Sequence, residues 1–300
     1  MLLKINHLEV RYGRQEKPAL LIKKPVIFEK GERIGIIGSN GAGKTTLVKA
    51  LLGLVKYRGS ITTELQPEEM AAHLQFNEYV NTMSVKHVME AILNTDIRKN
   101  KKLQELIEYF EFAPCLGKRY KALSGGQRQR FTIIMVMMQD APLTFYDEVT
   151  SGLDFETRQK LMEMLMKWYQ DKENTLCIVS HYYEELELLA DKLLILDQGK
   201  LVDYGDKKEL FHKYCGKSII ITDNQEKNRV LLKDFPKLAS PEHLIAVSCS
   251  TVENEKIVVG CLIQNNVNFK RSNNDIEMMY MNAKTRFNEA EGGKSNEKKN

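Results

Sequence analysis

A chain of 300 residues with 43% hydrophobic content can bury one large globular core, or one domain of about 200 residues with an appendage. Its 44 basic and 40 acidic residues nearly cancel, so a net charge of +4 gives no electrostatic reason to expect nucleic acid or an anionic membrane as a partner. There is no run of about eighteen apolar residues, no signal-peptide pattern at Met1-Leu2-Leu3-Lys4-Ile5-Asn6-His7, and no Cys-x-x-Cys pair among five scattered cysteines, which points to a cytosolic chain with reduced thiols.

From the N-terminus, Leu2 to Tyr12 alternates and predicts an edge strand. Arg33-Ile34-Gly35-Ile36-Ile37 is a short apolar run that meets Gly38-Ser39-Asn40-Gly41-Ala42-Gly43-Lys44-Thr45, and helical spacing follows from Thr45 to Leu52. Strand, glycine-rich turn and helix in that order are the setting of a phosphate-binding loop. Its glycines let backbone N–H groups curl around a polyphosphate with no Cβ in the way. Lys44 then meets the β- and γ-phosphates, Thr45 places its hydroxyl on Mg²⁺, and Thr46 donates near the α-phosphate. The loop alone fits an ATPase, a GTPase or a small-molecule kinase equally well.

Amphipathic spacing over Ser84 to Leu93 and Lys101 to Phe110 predicts two helices, a small helical insertion over about residues 82–122. Leu123-Ser124-Gly125-Gly126-Gln127 then opens a helical pattern that runs to about Gln139. A serine and two glycines there give a helix N-terminus with free N–H groups, a hydroxyl and no bulk, which suits an anion. An ordinary capped helix start has the same residues.

Three short apolar runs, Leu143 to Asp147, Thr175 to Ser180 and Lys192 to Asp197, alternate with helical patterns at Phe155 to Tyr169 and Tyr182 to Leu189. This order predicts an α/β fold with a largely parallel sheet. Asp147 and Glu148 stand at a strand end, where ligands sit in such sheets. There Asp147 suits Mg²⁺, through water, and Glu148 suits a base that polarises an attacking water, the alternative being a solvated turn. Asp197-Gln198-Gly199-Lys200 reads as a hairpin turn before Leu201-Val202-Asp203-Tyr204.

Beyond Lys217, strand character at Ser218 to Thr222, Leu244 to Ser248 and Lys256 to Leu262, with a helix over Asn274 to Arg286, predicts a small α+β extension across residues 217–287. It carries no readable motif, and a packing cap or dimer-stabilising element is its plainest reading. Residues 288–300 lack apolar spacing and predict a disordered tail.

The ordered set Gly38–Thr45, Gln75, Leu123–Gln127, Asp147-Glu148, Ser151-Gly152-Leu153-Asp154 and His181 resembles the nucleotide-binding subunits of ABC transporters, over roughly Met1 to Tyr214. The resemblance implies an ABC-type P-loop ATPase domain at residues 1–216, with a mixed sheet, a helical subdomain and an antiparallel edge sheet. It implies ATP and Mg²⁺ as cofactors and head-to-tail packing with a second such subunit, homologous or identical. Each ATP then lies between one subunit's phosphate loop and the other's Leu123–Gln127 segment, where Ser124 and Gly126 contact the γ-phosphate and Gly125 and Gln127 belong to the same ATP-binding set. Gln75 matches the glutamine that touches Mg²⁺ or the lytic water, and Asp154 the aspartate that reaches across the dimer. His181 matches the histidine that donates to the γ-phosphate, and Tyr12 the aromatic that stacks on adenine.

The resemblance further implies ATP hydrolysis by in-line attack of water, catalysed by Lys44, Gln75, Glu148 and His181. Hydrolysis would drive transport, with export favoured over import, through permease subunits on separate chains at the inner face of the membrane. A soluble ABC-type ATPase with a non-transport role such as cluster assembly is the alternative. Val149 stands where the family usually has proline, and Thr144 and Tyr146 interrupt an aliphatic run. The Met-rich stretch Met135 to Met138 reads as core packing.

Overall fold

A computed structural model describes residues 1–13, 17–74 and 79–297, with side chains described as far as Glu291. Strands β1 (Leu3–Val10), β2 (Leu20–Ile22) and β3 (Val26–Phe28) lead into β4 (Arg33–Ile37), helix α1 (Lys44–Leu51), β5 (Arg58–Thr63) and β6 (Met70–His73). Helices α2 (Val85–Ile92), α3 (Lys101–Tyr109) and α4 (Gly125–Met137) come next. An alternating stretch follows, of β7 (Leu143–Asp147), α5 (Phe155–Tyr169), β8 (Thr175–Val179), α6 (Tyr183–Leu189) and β9 (Lys192–Asp197). The chain closes with β10 (Lys200–Asp206), α7 (Lys207–Cys215), β11 (Ser218–Asp223), α8 (Glu226–Leu231), β12 (Lys237–Leu238), β13 (Leu244–Cys249), α9 (Val252–Gln264), β14 (Lys270–Ser272) and α10 (Ile276–Glu297).

The larger sheet runs β3-β1-β2-β10-β9-β4-β8-β7-β6, with β5 paired to β1. From β9 to β6 every pairing is parallel, and β7 and β8 are buried along their whole length, as expected of a strand covered on both faces. Alternate side chains fill separate cores: Ile34, Ile36, Cys177 and Val179 pack with α1 and the antiparallel lobe, whereas Leu176, Ile178, Leu193 and Ile195 pack beneath the helices. The β9–β10 hairpin turns at Gln198 (φ 45°) and Gly199 (φ 75°), the left-handed pair a two-residue turn demands. Helix α4 is buried from Phe131 to Met137, so its methionines are core.

Three expectations change. Strand β1 is not an edge, since β2 and β3 pair with it antiparallel and β5 does so as well; its alternation reflects one face in the core. Lys256 to Leu262 is helical, within α9, because Thr251 caps Asn254 N at 3.1 Å and Val258 and Leu262, four residues apart, bury together while Ile257 and Ile263 stay exposed. The residues from Asn288, expected to be disordered, continue α10 as far as Glu297, where Ala290, Glu289 and Glu291 extend an already formed helix and Glu291 pairs with Lys200.

The smaller sheet, β12-β13-β11-β14, is antiparallel and shares the main core. Ile219 and Ile221 of β11 face inward with Ile276 and Met279 of α10, and Ile220 faces a third core with Val258 and Leu262.

Candidate active site

The loop between β4 and α1 has a geometry that depends on glycine. A Cβ on Gly38 would sit 2.5 Å from the Leu196 carbonyl oxygen, and Gly43, with φ 98°, caps α1 in the left-handed region. Lys44 is 6% exposed, and its Nζ donates to the carbonyls of Gly38 (2.7 Å) and Ser39 (3.2 Å). Burial lowers its pKa, against the pull of Glu148 and Asp147. Asn40, Gly41, Ala42, Gly43, Lys44, Thr45 and Thr46 form one wall of a cleft of about 500 Å³ that Glu148 and His181 close on the other side. At its margin the Tyr12 hydroxyl donates to Thr46 Oγ1 at 3.4 Å.

Strand β7 delivers Asp147, fully buried, with neither carboxylate oxygen hydrogen-bonded among the described residues. Burial raises its pKa above the ordinary 3.8, and the nearby Thr45 hydroxyl, short of hydrogen-bond geometry, opposes this only in part. A buried carboxylate with unfilled lone pairs beside a threonine hydroxyl fits a hard divalent cation such as Mg²⁺, which takes one or two protein oxygens and completes its shell with water and phosphate.

Glu148 follows with φ 54°, a left-handed conformation that costs a side-chain-bearing residue on the order of 1 kcal/mol. Its N–H donates to Val179 O at 2.9 Å, and its Oε1 lies 2.6 Å from His181 Nε2. A carboxylate can only accept there, so the imidazole proton is on Nε2.

Glu185 is a residue of the site that sequence reasoning misses. It is buried in α6, accepting from Thr150 Oγ1 (2.7 Å) and Ser180 Oγ (2.6 Å), with Arg158 Nε at 3.7 Å. It therefore ties the segment after Glu148 to the residue before His181. The one signal that could have found it is its place four residues before buried Leu189, on an otherwise apolar face.

The remaining expected residues lie elsewhere. Ser124 caps α4: its Oγ accepts from Gln127 N (3.3 Å), and Gln127 Oε1 accepts from Ser124 N (3.1 Å). A Cβ on Gly126 would meet Thr157 at 3.0 Å, and one on Gly125 would meet Leu153 at 3.8 Å, so this helix start rests on the start of α5. Asp154 caps α5, accepting from Thr157 N (2.9 Å) and Thr157 Oγ1 (2.7 Å). None of these lines the cleft. Gln75 lies outside the described residues.

A glycine loop at the carboxyl end of a central parallel strand, with its lysine facing paired acids across a cleft, defines a phosphate-loop nucleotide-binding fold. Residues 25–151 match the ABC transporter family model. The chain carries an ABC transporter ATP-binding domain and is an ABC-type ATPase. It is 26% identical over 282 residues to the energy-coupling factor transporter ATP-binding protein EcfA1 of Mycoplasmopsis synoviae, covering 87% of this chain and 100% of that one. It is 26% identical over 288 residues to the linearmycin resistance ATP-binding protein LnrL of Bacillus subtilis, covering 88% and 90%. A methionine import ATP-binding protein of Corynebacterium glutamicum is 32% identical over 218 residues, or 66% of this chain and 60% of its own. Among solved structures, a dimeric ATP-binding cassette in a post-hydrolysis state bound to ADP and Pi superposes with TM-score 0.60 at 20% identity, over 68% of this chain and 98% of that chain.

Proposed function

We propose that this ATPase is the nucleotide-binding subunit of a transporter. Two ABC subunits close around two ATP and so drive substrate, in the export direction, through separate membrane-spanning subunits. The observation that carries the reading is the division of its residues: one set lines the cleft, and a second set, Ser124 to Gln127 with Asp154, caps two adjacent helices away from it.

Within the cleft, the backbone N–H groups of Asn40 to Thr46 and Lys44 hold the phosphates, and Thr45 and Asp147 hold Mg²⁺, which neutralises phosphate charge when bound. Gln75 completes that set. Glu148 accepts the proton of the attacking water, oriented by His181, and Tyr12 packs on the base. The helix start at Ser124 supplies N–H groups and a hydroxyl proton to the γ-phosphate held by the partner, and Asp154 sits at the same interface. We also assign residues 1–216 to the ATPase domain and 217–287 to the extension.

No described helix is long and apolar enough to cross a membrane, which fits a peripheral subunit on the cytoplasmic face of a permease. The similarity to the linearmycin resistance protein supports export, and the similarity to a methionine import protein supports the opposite direction. Affinity capture of the chain from detergent-solubilised membranes, followed by an ATPase assay, tests the reading. A membrane-spanning protein is expected in the capture, with turnover that Glu148→Gln lowers by at least about 10²-fold while ATP binding persists. Capture without a membrane protein would favour the cluster-assembly alternative, and full turnover in Glu148→Gln would remove Glu148 as the base.

A further inference from the structure

The C-terminal extension reaches the phosphate loop. Ser39 N–H donates to the Tyr280 hydroxyl oxygen at 3.0 Å, and the Ser39 carbonyl accepts from Lys44 Nζ at 3.2 Å. The cleft wall begins only at Asn40. Ser39 is thus tied by its N–H to α10 and by its carbonyl to the lysine, on the outer side of the loop.

The same helix grips the other side of the cleft. The Tyr280 ring lies 6.2 Å from that of Tyr183, which opens α6 two residues after His181. Ile276 N–H donates to Glu187 Oε1 at 3.1 Å, further along α6. Lys284 Nζ is 3.3 Å from Asp197 Oδ1, a 1%-exposed carboxylate at the end of β9, next to the Leu196 carbonyl that backs Gly38. Positions 276, 280 and 284 succeed one another at helical i, i+4 spacing, so one face of α10 spans the phosphate loop, α6 and the end of β9.

We propose that Tyr280 is a positioning residue for ATP binding, its hydroxyl fixing the first turn of the loop that presents Lys44. The inference rests on reading Gly38 to Thr46 as the ATP site. Without the hydroxyl, Ser39 N–H loses its partner and the loop gains freedom that nucleotide binding must then remove. Affinity falls, while the chemical step on bound ATP is unchanged.

The test uses the full chain. ATP with Mg²⁺ is titrated into wild type, Tyr280→Phe and Arg286→Gln, reading Kd, KM and kcat, and amide exchange of the 38–44 peptide is followed in the chain alone. Arg286 anchors α10 through the carbonyls of Lys213 (2.9 Å) and Tyr214 (3.3 Å), remote from the loop, and reports helix docking. In Tyr280→Phe the expected result is a rise in Kd and KM of about three- to ten-fold, kcat within about two-fold and faster exchange of the peptide. Arg286→Gln leaves all of these unchanged. Wild-type KM and exchange in Tyr280→Phe overturn the proposal, as does a fall confined to kcat or an equal effect in Arg286→Gln. A wild-type chain that binds no ATP overturns the reading of the loop itself, a failure visible before any substitution is made.

Discussion

Asp147 is a buried carboxylate whose oxygens find no hydrogen-bond donor among the described residues, and burial lifts its pKa above 3.8. The folded chain therefore holds this proton more tightly than the unfolded chain does. Its contribution to stability is fully present below 3.8 and is lost as the pH rises through the folded pKa, where the buried carboxylate becomes a charge that Mg²⁺ would relieve. Between those limits proton and cation compete. Thermal melts of the ATP-loaded chain with Mg²⁺ titrated from about pH 7 to about pH 5 should show the Mg²⁺ midpoint rising more steeply than in Asp147→Asn. Titration of ATP itself is common to both proteins, so the difference between them is the readout. Equal slopes would contradict Asp147 as the ligand.

Helix α4 decides whether Ser124 acts on its own chain or on another. Its cap is double, and the half from Ser124 N to Gln127 Oε1 is donated by main chain, so it survives replacement of the serine side chain. Ser124→Arg should then cost about 1 kcal/mol of helix stability, leave ATP binding by the single chain intact and abolish hydrolysis. Loss of ATP binding by the single chain, measured by calorimetry, would place Ser124 at its own loop instead. Elements of this kind are legible in the sequence because the chemistry is local: the Gly38–Thr45 string, the capping serine and the strand-end acids each declare themselves within a few residues. The bounds of α5 in the structure are those its sequence predicts. What sequence misses depends on distant partners. Lys256 to Leu262 carries β-branched residues that suit a strand, and the Thr251 cap together with burial against the small sheet selects the helix. Glu185 is an ordinary acid until Thr150 and Ser180 fold against it, and Tyr280 is one more aromatic until α10 lies across the loop.

At the scale of the molecule, the extension is part of the building that holds the cleft. The main core runs from Ile37 to Ala283 and takes in Phe211, Ile219 and Met279, so α10, which lies against α6, α7 and β10, shares one core with both sheets. A chain built in this way presents a cleft of phosphate-loop and acid groups and a capped helix start away from it, which supports the proposal that the active unit is a pair of subunits. The measurement that tests this most directly is the mass of Glu148→Gln in solution, by light scattering, with and without Mg²⁺ and ATP. The account predicts a monomer without nucleotide and twice that mass with it, the doubling abolished by adding Ser124→Arg. A mass that stays that of a monomer while ATP is bound would contradict it.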